Sequence, residues 1–185
     1  MNTAPSGIKS ISGDNAPEPG VSREIVVKIA DLAVAREPAV ITTHGLGSCL
    51  AIVLYDPQAK VGGLAHVMLP SPELVKNQTN AAKFPASAIG AMLAEIERLG
   101  GSRTRLRAKL AGGARMFGAL LTSSKGAGAA NIGTRNTQEA KAELERLGIP
   151  IVAEDTGSDY GRSVEFLVSS GTVLVRSFKA GLKEL

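Results

Sequence analysis

Residues 49–69 read Cys49-Leu50-Ala51-Ile52-Val53-Leu54-Tyr55-Asp56-Pro57-Gln58-Ala59-Lys60-Val61-Gly62-Gly63-Leu64-Ala65-His66-Val67-Met68-Leu69. Two apolar, β-branched runs flank Asp56-Pro57-Gln58-Ala59, where proline presets φ at the second turn position. The stretch therefore predicts a strand, a turn and a returning strand. With the turn centred between Pro57 and Gln58, Cys49 faces His66. Leu50 then faces Ala65, Ile52 faces Gly63 and Leu54 faces Val61. Directly opposed residues share a sheet face, so cysteine and histidine fall on one face and the leucines form a core on the other. A turn one residue longer makes His66 the diagonal neighbour of Cys49, still within reach.

Upstream, Ile25 to Ile29 and Val40 to Thr43 read as strands, and Gly45-Leu46-Gly47 as a tight bend. Downstream, Ile89, Met92, Leu93, Ile96 and Leu99 recur at helical spacing, which predicts a helix over 85–99 with Pro85 in its first turn and Gly100-Gly101 at its end. Arg105 to Leu110, Ile151 to Glu154, Val164 to Ser169 and Val173 to Phe178 read as strands, the last pair joined at Ser170-Gly171. Residues 112–133 are glycine-rich and read as a loop, with a short helix near Met116–Leu121. Asn136-Thr137-Gln138-Glu139 resembles a capping box that opens a second helix running to Leu147. Runs of strands interrupted by two helices predict an α+β fold of packed mixed β-sheets flanked by helices. The Pro-, Gly- and Ser-rich residues 1–22 read as a disordered tail, and 23–185 as a single domain.

Composition narrows the function classes. The formal net charge is +4 over 185 residues, too small to argue for nucleic acid by itself. Aromatic residues are 3% of the chain and Trp is absent, which disfavours stacking platforms for single strands. One cysteine excludes an intramolecular disulfide. The longest apolar run falls far short of the roughly 20 residues that span a bilayer. The expectation is a cytoplasmic protein without membrane insertion.

A thiol of ordinary pKa about 8.5 becomes a nucleophile when a neighbouring imidazole takes its proton. Cys49 and His66 supply that pair, Thr43 is placed to orient the second imidazole nitrogen, and the backbone N–H groups near Gly47 and Ser48 can form an oxyanion hole. Blander readings stand beside these. A lone cysteine is often a buried small hydrophobe, His66 reads equally as a satisfied core histidine, and His44 as an exposed turn residue. His44, Cys49 and His66 are a poor zinc set, with no fourth ligand and no paired spacing. Arg103, Arg105, Arg107 and Lys109 alternate, so they read as one cationic strand face, either solvated or a docking stripe for an acidic protein. The glycine-rich loop lacks the phosphate-binding pattern.

Several blocks, taken in order, resemble the CheD family of chemoreceptor glutamine deamidases. They are residues 43–49 (Thr43 to Cys49), Tyr55-Asp56-Pro57, residues 62–70, Gly112-Gly113-Ala114-Arg115-Met116-Phe117, Ile132-Gly133-Thr134-Arg135-Asn136, Asp155-Thr156-Gly157 and residues 160–166. The resemblance spans about Ile25 to Phe178. It implies a cysteine hydrolase that converts glutamine side chains of methyl-accepting chemotaxis receptors to glutamate, with Cys49 as nucleophile, His66 as base and Thr43 as the orienting residue. It also implies a fold similar to the cytotoxic necrotizing factor deamidase toxins, no metal or organic cofactor, and a CheC-type phosphatase as a further partner. Two positions depart from the family pattern: His44 stands where an apolar residue is more usual, and Ser158 replaces the second glycine of an Asp-x-Gly-Gly segment. The competing readings are a non-catalytic adaptor that binds the receptor or a CheC-type protein, and a thiol redox switch.

Overall fold

The hairpin that begins at Leu50 is the centre of the structure, a computed structural model that describes residues 8–10, 23–74, 80–115 and 132–185. Its strands are β5 (Leu50–Asp56) and β6 (Val61–Val67). The Asp56 carboxylate accepts the N–H groups of Gln58 and Ala59, at 3.0 and 3.1 Å, and closes the turn. Lys60 joins that turn with φ of 51°, so the loop is residues 57–60 and its centre lies one residue later than predicted. That moves every partner by two: Ala51, not Cys49, faces His66, and Leu50 faces Val67. Cys49 lies just beyond the ladder, diagonal to His66. A shift of two preserves the pleat, so cysteine and histidine keep a common face.

The remaining strands are β1 (Ile8–Ser10), β2 (Arg23–Val27), β3 (Asp31–Arg36), β4 (Ala39–Leu46), β7 (Arg107–Gly112), β8 (Ile151–Thr156), β9 (Arg162–Leu167), β10 (Thr172–Ser177) and β11 (Gly181–Glu184). The helices are α1 (Pro85–Arg98) and α2 (Ile132–Arg146). One sheet has the order β1-β3-β6-β5-β7-β8 and the other β11-β10-β9-β4-β2. Both are mixed: β1–β3, β7–β8 and β2–β4 are parallel and the other pairs antiparallel. The predicted α+β architecture of packed mixed sheets with helices outside is the one observed.

Both faces of the six-stranded sheet are covered, which makes two cores. Leu50, Ile52 and Leu54 meet Ile89, Met92 and Ile96 of α1 and Leu144 of α2 on the helix side. Ala51, Val53 and Tyr55 meet Ile41, Val164 and Phe166 between the sheets. Tyr55 and Phe166 pack edge to face with centroids 5.8 Å apart. Full burial of each large apolar side chain contributes roughly 1.5–3 kcal/mol, so the hairpin is held from both sides.

Several sequence expectations change. β3 was not anticipated, because its two alanines weaken the strand signal. β11 is exposed throughout and carries no apolar alternation. Ile8–Ser10 pairs in parallel with β3, within the stretch expected to be a disordered tail. α2 starts at Ile132, four residues ahead of the presumed cap, so Asn136 lies inside the helix. The expected short helix at Met116–Leu121 lies outside the described residues.

The cationic stripe is also corrected. Arg103–Arg105 is a 3-10 turn, and the strand starts only at Arg107. The buried Asp56 carboxylate causes this, since it accepts the Ser102 N–H at 2.8 Å and the Arg105 guanidinium at 2.7 Å. Arg103 is directed at the Leu147 carbonyl at 3.4 Å, and Lys109 donates to the carbonyls of Gly171 and Leu185 at 2.8 and 2.7 Å. Arg107 is exposed. The four cations therefore do not form one face.

Burial pushes the Asp56 carboxyl up, but the hydrogen bonds from Arg105 and from the N–H groups of Ala59, Ser102 and Gln58 outweigh it and hold the group at about 2. A carboxyl depressed below its unfolded value stabilises the fold above pH 4, and that contribution is lost as pH falls toward 2. Asp56→Asn is expected to lower the unfolding free energy at neutral pH by about 2 kcal/mol, as the shift from 3.8 implies. Urea titrations of both proteins at pH 7 and pH 3 check this: the gap between them narrows in acid.

Candidate active site

Three candidate residues come from three places. Thr43 lies on β4 of the five-stranded sheet, His66 on β6 of the six-stranded sheet, and Cys49 in the connection that carries the chain from one to the other. Thr43 and His66 are fully buried, and Cys49 is half-buried, as are Gly47 and Ser48 beside it. A reagent from solvent thus meets the thiol first and the imidazole only behind it.

The hydrogen bonds of Thr43 define the state of the imidazole. Its hydroxyl oxygen is 2.8 Å from the Val27 carbonyl and 2.7 Å from His66 Nδ1. A carbonyl only accepts, so the hydroxyl proton goes to Val27. The hydroxyl oxygen then accepts from Nδ1–H. His66 Nε2 is left without a proton and, among the described residues, without a hydrogen-bond partner. Burial lowers the His66 pKa to about 4, and burial also raises that of the Cys49 thiol. Burial thus favours the neutral form of each group, against the thiolate–imidazolium pair that proton transfer between them would give. No hydrogen bond joins the two side chains.

The Cys49 loop is clamped from behind. β4 runs through Leu46, and a register shift opposite β9 between Thr43 and Leu46 replaces the tight bend expected at Gly45-Leu46-Gly47. Three successive carbonyls then meet internal donors: Gly47 accepts Ala114 N–H at 2.8 Å, Ser48 accepts Asn136 Nδ2 at 2.9 Å, and Cys49 accepts Gly113 N–H at 2.7 Å. A Cβ at Gly112 would lie 2.5 Å from the Cys49 carbonyl oxygen, and one at Gly133 would lie 2.5 Å from the carbonyls of Gly113 and Ala114. Only glycine lets β7 approach the loop, and the start of α2 approach the end of β7, this closely. The Gly47 N–H is engaged with the Gly45 carbonyl at 3.1 Å, and among the described residues the Ser48 and Cys49 N–H groups have no backbone partner.

His44 is exposed on the bulge. It lines an open cleft of about 680 Å³ with Tyr160, Arg162, Arg176, Phe178 and Lys179, and does not face His66. Arg162 is buried, donates to Asp155 at 2.6 Å and to the carbonyls of Gly157 and Tyr160, and stacks on the Tyr160 ring. This fixes the loop in which Ser158 adopts φ of 63°, the left-handed conformation for which glycine is suited. Among the described residues no three His, Cys, Asp or Glu side chains gather as metal ligands, and no helix is long and apolar enough to cross a membrane.

From the sequence Asn136 reads as a helix cap and not as a residue of the site. The signal was present, since Asn136, Ala140 and Leu144 follow one another at helical spacing and all three are buried. A polar residue on an apolar stripe is the informative departure.

Fold and site together describe an α+β protein of two mixed sheets with a cysteine–histidine site where the chain crosses between them. The CheD chemotactic sensory transduction profile matches residues 68–177. A Geobacter metallireducens protein named "Probable chemoreceptor glutamine deamidase CheD 2" is 46% identical over 89% of this chain and 100% of its own length. A Caldanaerobacter subterraneus protein named "Probable chemoreceptor glutamine deamidase CheD" is 45% identical over 88% of this chain and 98% of its own length. A Pyrococcus abyssi protein of the same name is 44% identical over 87% and 96%. Among solved structures, a Neisseria meningitidis protein of family DUF152 superposes with a TM-score of 0.43 and 12% identity, over 75% of this chain and 65% of that one. The chain belongs to the CheD family.

That burial favours the neutral form of each group has a measurable consequence. Alkylation of Cys49 by iodoacetamide is expected to accelerate steadily with pH through and beyond about 8.5, the ordinary thiol value. A rate already at its plateau near neutral pH would show a preformed thiolate.

Proposed function

We propose that this chain is a protein-glutamine glutaminase that deamidates glutamine side chains of methyl-accepting chemotaxis receptors in the cytoplasm. A half-buried thiol on the same sheet face as a buried imidazole with a bare Nε2 carries the reading, and the names of the CheD relatives supply the substrate class.

The cycle is covalent. Cys49 sulfur attacks the side-chain carboxamide carbon while its proton passes to His66 Nε2, and Thr43 stabilises the imidazolium that forms by holding Nδ1–H. The carbonyl oxygen becomes an oxyanion held by the N–H groups of Ser48 and Cys49. Loss of one such donor costs about 2.7–4 kcal/mol of barrier. The C–N bond breaks as His66 returns the proton to the departing nitrogen, which leaves as ammonia. Water then gives a proton to Nε2 and attacks the thioester, and collapse of that intermediate reprotonates sulfur and releases glutamate. Each step uses groups of this chain and water, with no metal or organic cofactor.

Burial of His66 places the acid limb of the reaction low. Protonation of Nε2 removes the acceptor, so kcat/KM is expected to hold through neutral pH and fall as pH approaches about 4. Of Arg103, Arg105, Arg107 and Lys109, Arg107 is exposed on β7, and it is the proposed contact to an acidic receptor surface. A CheC-type phosphatase is a proposed second partner.

The reading is tested by incubating the protein with a full receptor cytoplasmic region and weighing the peptides. Deamidation adds about one mass unit per glutamine, the difference between NH₂ and OH. Cys49→Ala and His66→Ala are expected to abolish the gain, and Thr43→Ala to slow it without abolishing it. Receptor binding by the wild type with no mass gain would identify an adaptor instead.

A further inference from the structure

We propose that Asn136 is a positioning residue that locks the Cys49 loop to the His66 strand and aims the Cys49 N–H at the substrate; this deepens the deamidase reading and rests on it. Both strands of the hairpin run out of ladder at the site, where Leu50 and Val67 form the last pair. Past that pair, the Asn136 amide takes over. Its Nδ2 donates to the Ser48 carbonyl at 2.9 Å on the nucleophile side and to the Met68 carbonyl at 3.3 Å on the base side. One NH₂ group therefore bridges the residue before Cys49 and the residue two beyond His66.

The bridge also orients a peptide. In a trans peptide the C=O and the N–H point in opposite directions. Holding the Ser48 carbonyl against α2 turns the Cys49 N–H away from α2. Gly113 holds the Cys49 carbonyl at 2.7 Å in the same way, so the residue is fixed by both of its flanking peptides. An oxyanion donor acts through such fixed direction, because it then needs no reorganisation as charge develops.

The unsatisfied half of the amide argues against a purely stabilising role. Asn136 is fully buried, and its Oδ1 has no hydrogen-bond partner among the described residues. A rotated amide would set that oxygen against two carbonyl oxygens, so the donors alone dictate the orientation. An unpaired buried acceptor lowers stability, and an apolar residue would complete the Ala140–Leu144 stripe without that penalty. What only the amide provides is two donors on one planar group, at the spacing of the Ser48 and Met68 carbonyls.

Asn136→Asp keeps the shape and turns the donors into acceptors, and Asn136→Ala removes them. Both variants are expected to lose about 100-fold in kcat for receptor deamidation, the size of an oxyanion-donor loss, with KM within about threefold of wild type. Hydrogen exchange of the 45–50 backbone should rise at least tenfold, while exchange in β9 and β10 stays as in wild type. A kcat within twofold of wild type, or unchanged exchange at 45–50, overturns the proposal, as does a uniform rise in exchange across all strands. Should neither variant fold, the wild-type Asn136 side-chain NH₂ protons decide: protection from exchange supports the bridge, and exchange at the rate of a free amide refutes it. Absence of deamidation by wild type would refute the deamidase reading alone, because the exchange comparison judges the bridge without it.

Discussion

The hydrogen bond between Thr43 and His66 joins the two sheets at the one place where chemistry is proposed. Each partner is contributed by a different sheet. Both are sealed from water, so neither can exchange the bond for hydration. The second bond of Thr43, to the Val27 carbonyl, removes the choice of proton position. The inter-sheet packing of Ile41, Val53 and Phe166 thus has a chemical result: it holds a threonine against an imidazole so that one nitrogen is satisfied and the other stays bare.

Cys49, the proposed nucleophile, completes this geometry by lying on the crossing between the sheets. A residue on a crossing is exposed on one side and backed by both sheets on the other, which suits a thiol proposed to meet a large substrate. Part of the backing is glycine: a Cβ at Gly112 would strike the Cys49 carbonyl, and Gly113 and Gly133 let the end of β7 and the start of α2 approach each other. The result is a rim whose carbonyls face inward. The proposed substrate, a glutamine on a protein surface, needs an open rim of this kind more than a deep cavity.

Much of this was legible in the chain. Alternation around Asp56-Pro57 located the hairpin and the shared face of Cys49 and His66, and the spacing of Ile89, Met92 and Ile96 located α1. The ladder position was not, because turn length depends on the tertiary contacts of Asp56 with Arg105 and Ser102 as well as on Pro57. The same contact bent Arg103–Arg105 out of the strand that its alternation suggested. β3 escaped notice because alanines packed between sheets look like helix formers in isolation. Asn136 escaped because its pattern with the following glutamate imitates a cap. The electrostatics of the site were also hidden: residue types favour an ion pair, whereas burial lowers the His66 pKa and raises that of the Cys49 thiol.

The central claim is that His66 rests neutral, with its proton on Nδ1 and Nε2 bare. Nitrogen-15 NMR of the histidine ring reads this directly in the full-length wild-type protein. The account predicts a protonated Nδ1 and an unprotonated Nε2 at neutral pH, persisting until the pH approaches about 4. A ring protonated on Nε2 at pH 7, either as the other tautomer or as an imidazolium, would contradict it.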